Sequence, residues 1–318
     1  MDAFASVTTV ERAPIRFQSR LLREVELPCW EVEGKEGPTL ALIAGVHGCE
    51  YSSIAAVGEV VRRLHGQELS GRVLAVAIVN ISAFRTRTPF VSPEDGKNLN
   101  RCFPGRADGT FSEVLAHHVF ERVIAGSDYL IDLHGGDLVE ALEPFVLYDE
   151  SPVEEATRAM AAAFGFRYVV RSPRAGRIEG TTVAAAADAG IPALIAEAGG
   201  RGLLEAGAVE ALADGVENVL RLLGMIQGKP LAAHGTTLFR RFVWLYSPVA
   251  GWWQPAVDVG EQIVAGSVLG RVLDLLGEEL AEVRAPEDGV VLFMTSVPPV
   301  QEQGILLGLG VDASPLNA

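Results

Sequence analysis

The sequence predicts an α/β fold: a mostly parallel or mixed sheet flanked by helices, followed by a smaller all-β module. Three observations predict it. Continuous apolar runs of strand length, such as residues 39–46 (TLALIAGV), end in turn residues and read as strands buried on both faces. Segments of helical periodicity alternate with those runs. After Gly228-Lys229-Pro230 the texture changes to short apolar or alternating runs separated by Gly and Pro.

Taken in order, residues 13–34 read as short strands, and Gly34 to Gly37 supplies a break. The run 39–46 leads into Gly45-Val46-His47-Gly48, and residues 50–64 turn helical, with Gly66 placed to cap the end. Residues 73–79 form a second buried strand. Residues 80–110, rich in Arg, Pro, Gly and Asn, read as a long ordered loop, and such loops in compact domains are usually functional. Then come a helix over 112–125, a strand over 128–133, a strand over 144–148 and a helix over 153–164. A helix over 181–189, a strand over 192–196 and a long helix over 203–225 complete the alternation.

The C-terminal strands are expected at 237–246, 262–264, 268–273, 290–293 and 304–309. The segments 247–251 (SPVAG) and 285–289 (APEDG) share a small residue, Pro, two residues and Gly, and hint at a pseudo-repeat with turns at 259–261 and 265–266. This texture resembles a small lipoyl-like sandwich. Such modules often carry biotin or lipoate on a lysine, but the lysines here are Lys35, Lys97 and Lys229, so a swinging-arm carrier is excluded. The expected division is residues 1–229 for the α/β part and 230–318 for the small β-sandwich, in line with a prior of about 150 residues per domain.

Composition narrows the class. Hydrophobic residues make up 49% and charged residues 21%, the balance of a globular and not a disordered chain. A net charge of −15 argues against nucleic acid or an anionic membrane as partner, yet it does not bar a small anion. Three cysteines (Cys29, Cys49, Cys102) without CxxC spacing fit a reducing compartment. No basic patch followed by an apolar core opens the chain, and no stretch of about 20 apolar residues occurs. The expectation is a cytoplasmic protein, with a homo-oligomer left open.

The chemistry concentrates at strand ends. HxxE occurs at His47/Glu50, His65/Glu68 and His118/Glu121, so the spacing alone is weak. His65 falls at a helix end, where a cation suits the dipole, and His118/Glu121 read as a solvated helix face. Only His47/Glu50 follows directly on a buried strand, and ligands in open α/β sheets bind beyond the strands' carboxyl ends. A structural or capping histidine is the alternative for His47. His134, in Asp132-Leu-His134-Gly-Gly136, stands at the end of another strand. Two such histidines and Glu50 make a His₂Glu set, the catalytic form of a zinc site. Asp132 could support a ligand imidazole or simply bond backbone. Glu197, in Glu197-Ala-Gly-Gly200, could serve as a general base at the same rim, although a solvent-facing glutamate is the simpler reading from position alone.

The loop 80–106 reverses the charge of the chain, with Arg85, Arg87, Lys97, Arg101 and Arg106 against Glu94 and Asp95. Arginine's planar fork matches a carboxylate, and a neighbouring asparagine adds a directional hydrogen bond. Cys49 reads as a small buried residue, and no GxSxG, strand-following GxGxxG or GKS/T occurs in a supporting context.

Together GVHGCE (45–50), NLNRCFPG (98–105), DLHGG (132–136) and EAGG (197–200) resemble the succinylglutamate desuccinylase/aspartoacylase family, relatives of the zinc carboxypeptidases. The resemblance covers roughly residues 39–225, and the β module fits that family's small C-terminal domain. Ectoine-pathway deacetylases also resemble this branch, particularly in DGKNLNRCFPG (95–105). The resemblance implies a zinc-carboxypeptidase-like mixed sheet and one Zn²⁺ per chain on His47, Glu50 and His134. It implies Glu197 as general base and acid, and Asn100 and Arg101 as the clamp on a substrate carboxylate. An upstream arginine would polarise the scissile carbonyl, with Arg87 the choice and Arg85 the fallback. The implied activity is hydrolysis of the amide bond of a small, carboxylate-bearing N-acyl amino acid. The competing readings are a metallocarboxypeptidase acting on short peptides and a catalytically decayed small-molecule binding protein; the intact His47, Glu50, His134 and Glu197 set argues against decay.

Overall fold

The structure, a computed structural model, describes residues 8–231 and 235–316. Its centre is a 13-stranded mixed sheet. From one edge the order is Thr9–Arg12, Cys29–Glu33, Ser70–Val76, Lys35–Ala44, Tyr129–His134, Ala193–Glu197, Phe145–Asp149 and Tyr168–Ser172. It continues through Thr237–Tyr246, Ile305–Pro315, Gly289–Thr295 and Gln262–Ile263, and Glu140–Leu142 pairs with Gly289–Thr295 beside this path.

Alternation along one strand explains why the apolar run at 39–46 is unbroken. Leu40, Leu42 and Ala44 face a core shared with helices Tyr51–Leu64, Glu154–Phe164 and Ala206–Leu222. Ala41 and Ile43 point the other way, towards Phe111–Val119 and Thr182–Asp188. Successive side chains leave a strand on opposite faces, so a sheet covered by helices on both sides demands apolar residues at every position. Helix Tyr51–Leu64 buries Ala56, Val57, Val60, Val61 and Leu64 while its Arg62 stays in solvent, the stripe expected of a covering helix.

Lys35–Ala44, Tyr129–His134 and Ala193–Glu197 are adjacent and parallel. Their carboxyl ends therefore lie along one rim, and that rim receives His47, Glu50, His134 and Glu197.

Three of the stretches that differ from the sequence expectation bear on the α/β part. The loop 80–110 contains a short helix, Ile81–Thr86, whose N-cap Asn80 accepts from the Ala83 N–H at 3.2 Å, and a 3₁₀ turn at Leu99–Arg101. Both are too short to print a helical period. Tyr168–Ser172 is an additional strand, lying parallel to Phe145–Asp149. The long helix runs Ala206–Leu222, three residues shorter at each end than expected.

The β region does not stand apart from the sheet. Thr237–Tyr246 pairs in parallel with Tyr168–Ser172, from Tyr168↔Thr237 to Val170↔Phe239, and antiparallel with Ile305–Pro315. A second, four-stranded antiparallel sheet of Glu279–Arg284, Val268–Leu273, Gly251–Pro255 and Pro299–Val300 completes the C-terminal region. Trp253, Leu269, Val272, Leu306 and Leu309 share its apolar core. At about 1.5–3 kcal/mol for each fully buried large side chain, that core contributes substantially to holding the region folded. Among the described residues, no helix is long and apolar enough to cross a membrane.

Candidate functional site

The first motif is shaped by close backbone approach. Gly45 has φ +64°, and a Cβ there would sit 2.9 Å from Ile78 Cα. A Cβ on Gly48 would sit 2.1 Å from the Phe84 N of helix Ile81–Thr86. Glycine at both positions lets the chain turn sharply off its strand and present His47 at the rim. Glu50 occupies the N-cap of Tyr51–Leu64 but makes no side-chain capping bond, so its carboxylate is free for other partners.

Those partners are two imidazoles. Glu50 Oε1 lies 2.7 Å from His47 Nδ1, and Oε2 lies 3.1 Å from His134 Nδ1. Gly135 N–H also donates to Oε2 at 3.3 Å. The ligating atoms of His47, Glu50 and His134 all fall within 4.8 Å of one another, close enough to hold one metal ion. The outer nitrogens are held as well. His47 Nε2 lies 3.0 Å from Asn98 Oδ1, and His134 Nε2 lies 2.9 Å from Asp132 Oδ2, a contact too poorly aligned for a full hydrogen bond. Imidazoles with one nitrogen turned inward and the other against a carboxylate or carbonyl are oriented as metal ligands are.

Glu197 enters from the neighbouring strand, in register with His134. The glycines that follow the two strands fit against each other. Gly136 N–H donates to Gly199 O at 2.8 Å, and a Cβ on Gly135 would lie 2.5 Å from Ala198 O.

Electrostatics favour a cation here. Burial works against charge on Glu50, but His134 and His47 hold its carboxyl down to about 2. His134 is raised well above the usual imidazole range: burial opposes its charge, and Asp132 and Glu50 outweigh burial. Burial pushes Glu197 up; His134 opposes this, while Glu50, Glu140 and Asp132 add to it. Desolvation likewise pushes Glu140 up to about 8. The carboxyls of Glu50, Asp132, Asp137, Glu140 and Glu197 thus crowd around two imidazoles. A divalent cation offsets that negative charge, and the two-nitrogen, one-carboxylate donor set suits zinc.

A profile described as the succinylglutamate desuccinylase/aspartoacylase catalytic domain matches residues 36–223. The chain belongs to this family. Succinylglutamate desuccinylase/aspartoacylase relatives match over nearly the whole length. The N-alpha-acetyl-L-2,4-diaminobutyric acid deacetylase of Halomonas elongata is 29% identical over 289 residues, covering 88% of this chain and 84% of its own. A succinylglutamate desuccinylase/aspartoacylase crystal structure from Rhodobacter sphaeroides superposes with a TM-score of 0.83 at 27% identity, covering 99% of this chain and 98% of that one. The product-bound ectoine utilization protein EutE (DoeB) from Ruegeria pomeroyi gives 0.84 at 25% identity, covering 98% and 96%. Members of the family are deacylating hydrolases.

Within this family fold, the residues singled out from sequence occupy the following places. His47, Glu50 and His134 form the cluster, and Glu197 stands beside it. Asn100 is buried in the turn Leu99–Arg101, and its Oδ1 accepts the Thr182 N–H at 3.0 Å, so what it offers a ligand is N–H donors. Arg101 is exposed next to it and donates to Asn100 O at 2.6 Å. Arg85 and Arg87 are both exposed. Arg87 caps the short helix with φ 54°, and its charge bears on Cys49 and Tyr51, which flank Glu50. His65 is the C-cap of Tyr51–Leu64, away from the cluster.

Sequence reasoning passed over three residues. Asn98 braces His47 while its Oδ1 also accepts the Asn100 N–H at 2.8 Å. Asp137 is fully buried and accepts the Phe90 N–H at 2.8 Å, tying down the loop after Arg87, where Phe90 itself has φ 60°. Thr182 bonds Asp132. An asparagine at a turn N-cap was the one local signal; the other two act over long sequence separations.

Proposed function

We propose that the protein is a zinc-dependent deacylase that hydrolyses the amide bond of a small N-acyl amino acid. The observation that carries this reading is the inward-facing set of His47, Glu50 and His134 with Glu197 beside it on the next strand. These three side chains would hold one zinc ion, which when bound acidifies water and polarises a carbonyl. Glu197 then takes a proton from the attacking water and returns it to the leaving nitrogen, releasing a carboxylic acid and a free amine. Burial raises the affinity of Glu197 for a proton, which suits its return of the proton to the leaving nitrogen. Asn100 and Arg101 bind the substrate carboxylate through N–H donors, and Arg87 faces the acyl oxygen as charge develops on it. Residues 1–229 carry this chemistry, and residues 230–318 form a β module that extends the sheet beside it.

The name of the Halomonas relative makes acetyl the first acyl group to examine. Purified protein loaded with zinc is offered N-acetyl, N-succinyl and longer N-acyl amino acids, with dipeptides in parallel, and the freed amine is quantified. Turnover of an N-acyl amino acid that disappears with chelator supports the proposal. Preferential cleavage of dipeptides would assign the protein to peptide hydrolysis instead, and no turnover across the panel would remove the deacylase reading.

A further inference from the structure

Helix Thr182–Asp188 starts at the point where the two halves of the site meet. Thr181 is its N-cap, with Oγ1 accepting from the Ala184 N–H at 3.1 Å. The N–H groups of a helix's first turn have no partner within the helix, so that of Thr182 is free to bond elsewhere. It donates to Asn100 Oδ1 at 3.0 Å, on the clamp side. The Thr182 hydroxyl donates to Asp132 Oδ2 at 2.5 Å, the same oxygen that faces His134 Nε2. Thr182 and Asp132 are both fully buried, and Asp132 Oδ1 has no hydrogen-bond partner among the described residues. The position of this carboxylate therefore depends on one oxygen, shared by the imidazole and the threonine.

The segment ahead of Thr182 is fastened to the clamp loop as well. Phe103 N–H donates to Gly180 O at 2.9 Å, and a Cβ on Gly180 would come within 2.4 Å of Arg101 O. Residues 180–182 and 100–103 are thus fastened together by direct backbone contact.

We propose that Thr182 is a positioning residue that ties the metal side of the site to the carboxylate clamp. Its hydroxyl fixes Asp132 against the outer nitrogen of His134, which sets the direction of the inward Nδ1. Its amide holds Asn100 with the side-chain N–H groups turned towards the ligand. The two functions are separable, because one uses the side chain and the other the backbone. This rests on the zinc reading above.

The test uses zinc alone as probe, in competition with a chromophoric chelator, on the full chain and on Thr182→Val and Thr182→Ser. Valine keeps the shape and the N–H but lacks the hydroxyl, whereas serine keeps both polar groups. Loss of the group directly behind a metal-binding histidine, here Asp132, typically weakens metal affinity about 10–100-fold, which sets the upper bound for loosening that group through Thr182. Thr182→Val is expected to lose affinity up to that bound, and Thr182→Ser to stay within about threefold of the unmodified chain. With zinc saturating, KM for an N-acyl amino acid should stay unchanged in Thr182→Val, since the bond to Asn100 survives. Equal zinc affinity in Thr182→Val and the unmodified chain overturns the inference. So does a Thr182→Ser variant as weak as Thr182→Val, which would show that a hydroxyl at this position does not preserve zinc affinity. A chain that binds no zinc at all is a different result: it removes the zinc reading and this inference with it.

Discussion

Glu197 stands in register with His134 across two parallel strands, so the proposed proton acceptor and the proposed metal-binding imidazole are fixed by one ladder of backbone hydrogen bonds. Neither side chain depends on a flexible loop for its place. The relation predicts that the acid can be altered without disturbing the metal. Glu197→Gln should retain about one zinc per chain and lose about 10²–10⁴-fold in kcat, the usual worth of a positioned general base. Metal content by elemental analysis and turnover measured on the same sample check both halves. A variant hydrolysing at the normal rate would show that Glu197 moves no proton in the reaction.

The two proposed clamp residues, Asn100 and Arg101, differ in burial, and that difference separates their variants. Arg101 is exposed while Asn100 is buried and receives the Thr182 N–H. Arg101→Ala should raise KM for carboxylate-bearing substrates about tenfold or more and leave the unfolding temperature unchanged, because a charge-assisted bond to substrate is worth about 1.5–3 kcal/mol. Asn100→Ala should raise KM too, and should also cost about 1–3 kcal/mol of stability by stranding a buried donor. Calorimetry beside steady-state kinetics distinguishes them. An Asn100→Ala chain as stable as the original would mean that the Thr182 N–H finds another partner.

How much of this was legible without coordinates follows from sequence distance. His47, Glu50, His134 and Glu197 could be picked out because each follows an apolar run and has glycine close by, and that pattern is local. The same pattern located the parallel strands that bring them together. Asn98 and Thr182 follow no such run, and Asp137, although it follows Gly136, carries no sign of the backbone it meets. Asn98 reaches His47 across 51 residues, Asp137 reaches Phe90 across 47, and Thr182 reaches Asp132 across 50. Tyr168–Ser172 was missed because its apolar run, Tyr168-Val169-Val170, ends after three residues at Arg171 and Ser172, although this strand joins the α/β part to the C-terminal region. Local periodicity reports burial; it does not report which buried polar groups meet.

Asp137 is one of these unread residues, and its role bears on Arg87. Its Oδ2 accepts the Phe90 N–H at 2.8 Å and its Oδ1 the Leu138 N–H at 2.6 Å. Phe90 at φ 60° and Arg87 at φ 54° are backbone conformations that L side chains adopt at a cost of about 1–3 kcal/mol each, so something must hold them. Asp137→Ala should release that loop and lower kcat about 10-fold or more, with zinc content unchanged. Phe90→Gly removes the strain at its source and, made in the same chain, should recover part of the loss. Kinetics of the single and double variants check this; an additive double variant would sever Asp137 from the loop.

Asp149 supplies a pH dependence far from the His47, Glu50 and His134 cluster, at the end of Phe145–Asp149 that points away from Glu197. Its side chain is buried, and Oδ2 has no hydrogen-bond partner among the described residues. Burial pushes its carboxyl up to about 6; Ser172 and Arg177 oppose this, while Glu179 and Asp188 add to it. In the unfolded chain an aspartate titrates near 3.9. The folded protein therefore holds this proton more tightly than the unfolded one. The resulting stabilisation is fully present below about pH 4 and is lost as pH rises through about 6. Above that pH both states are ionised and the folded state bears the cost of a buried charge, at most about 3 kcal/mol. Asp149→Asn keeps the shape without the charge. It should raise the unfolding temperature at pH 8 and give little or no gain at pH 4. Thermal melts at the two pH values check the sign, and a gain of equal size at both would show that Asp149 binds its proton equally well in the folded and unfolded chains.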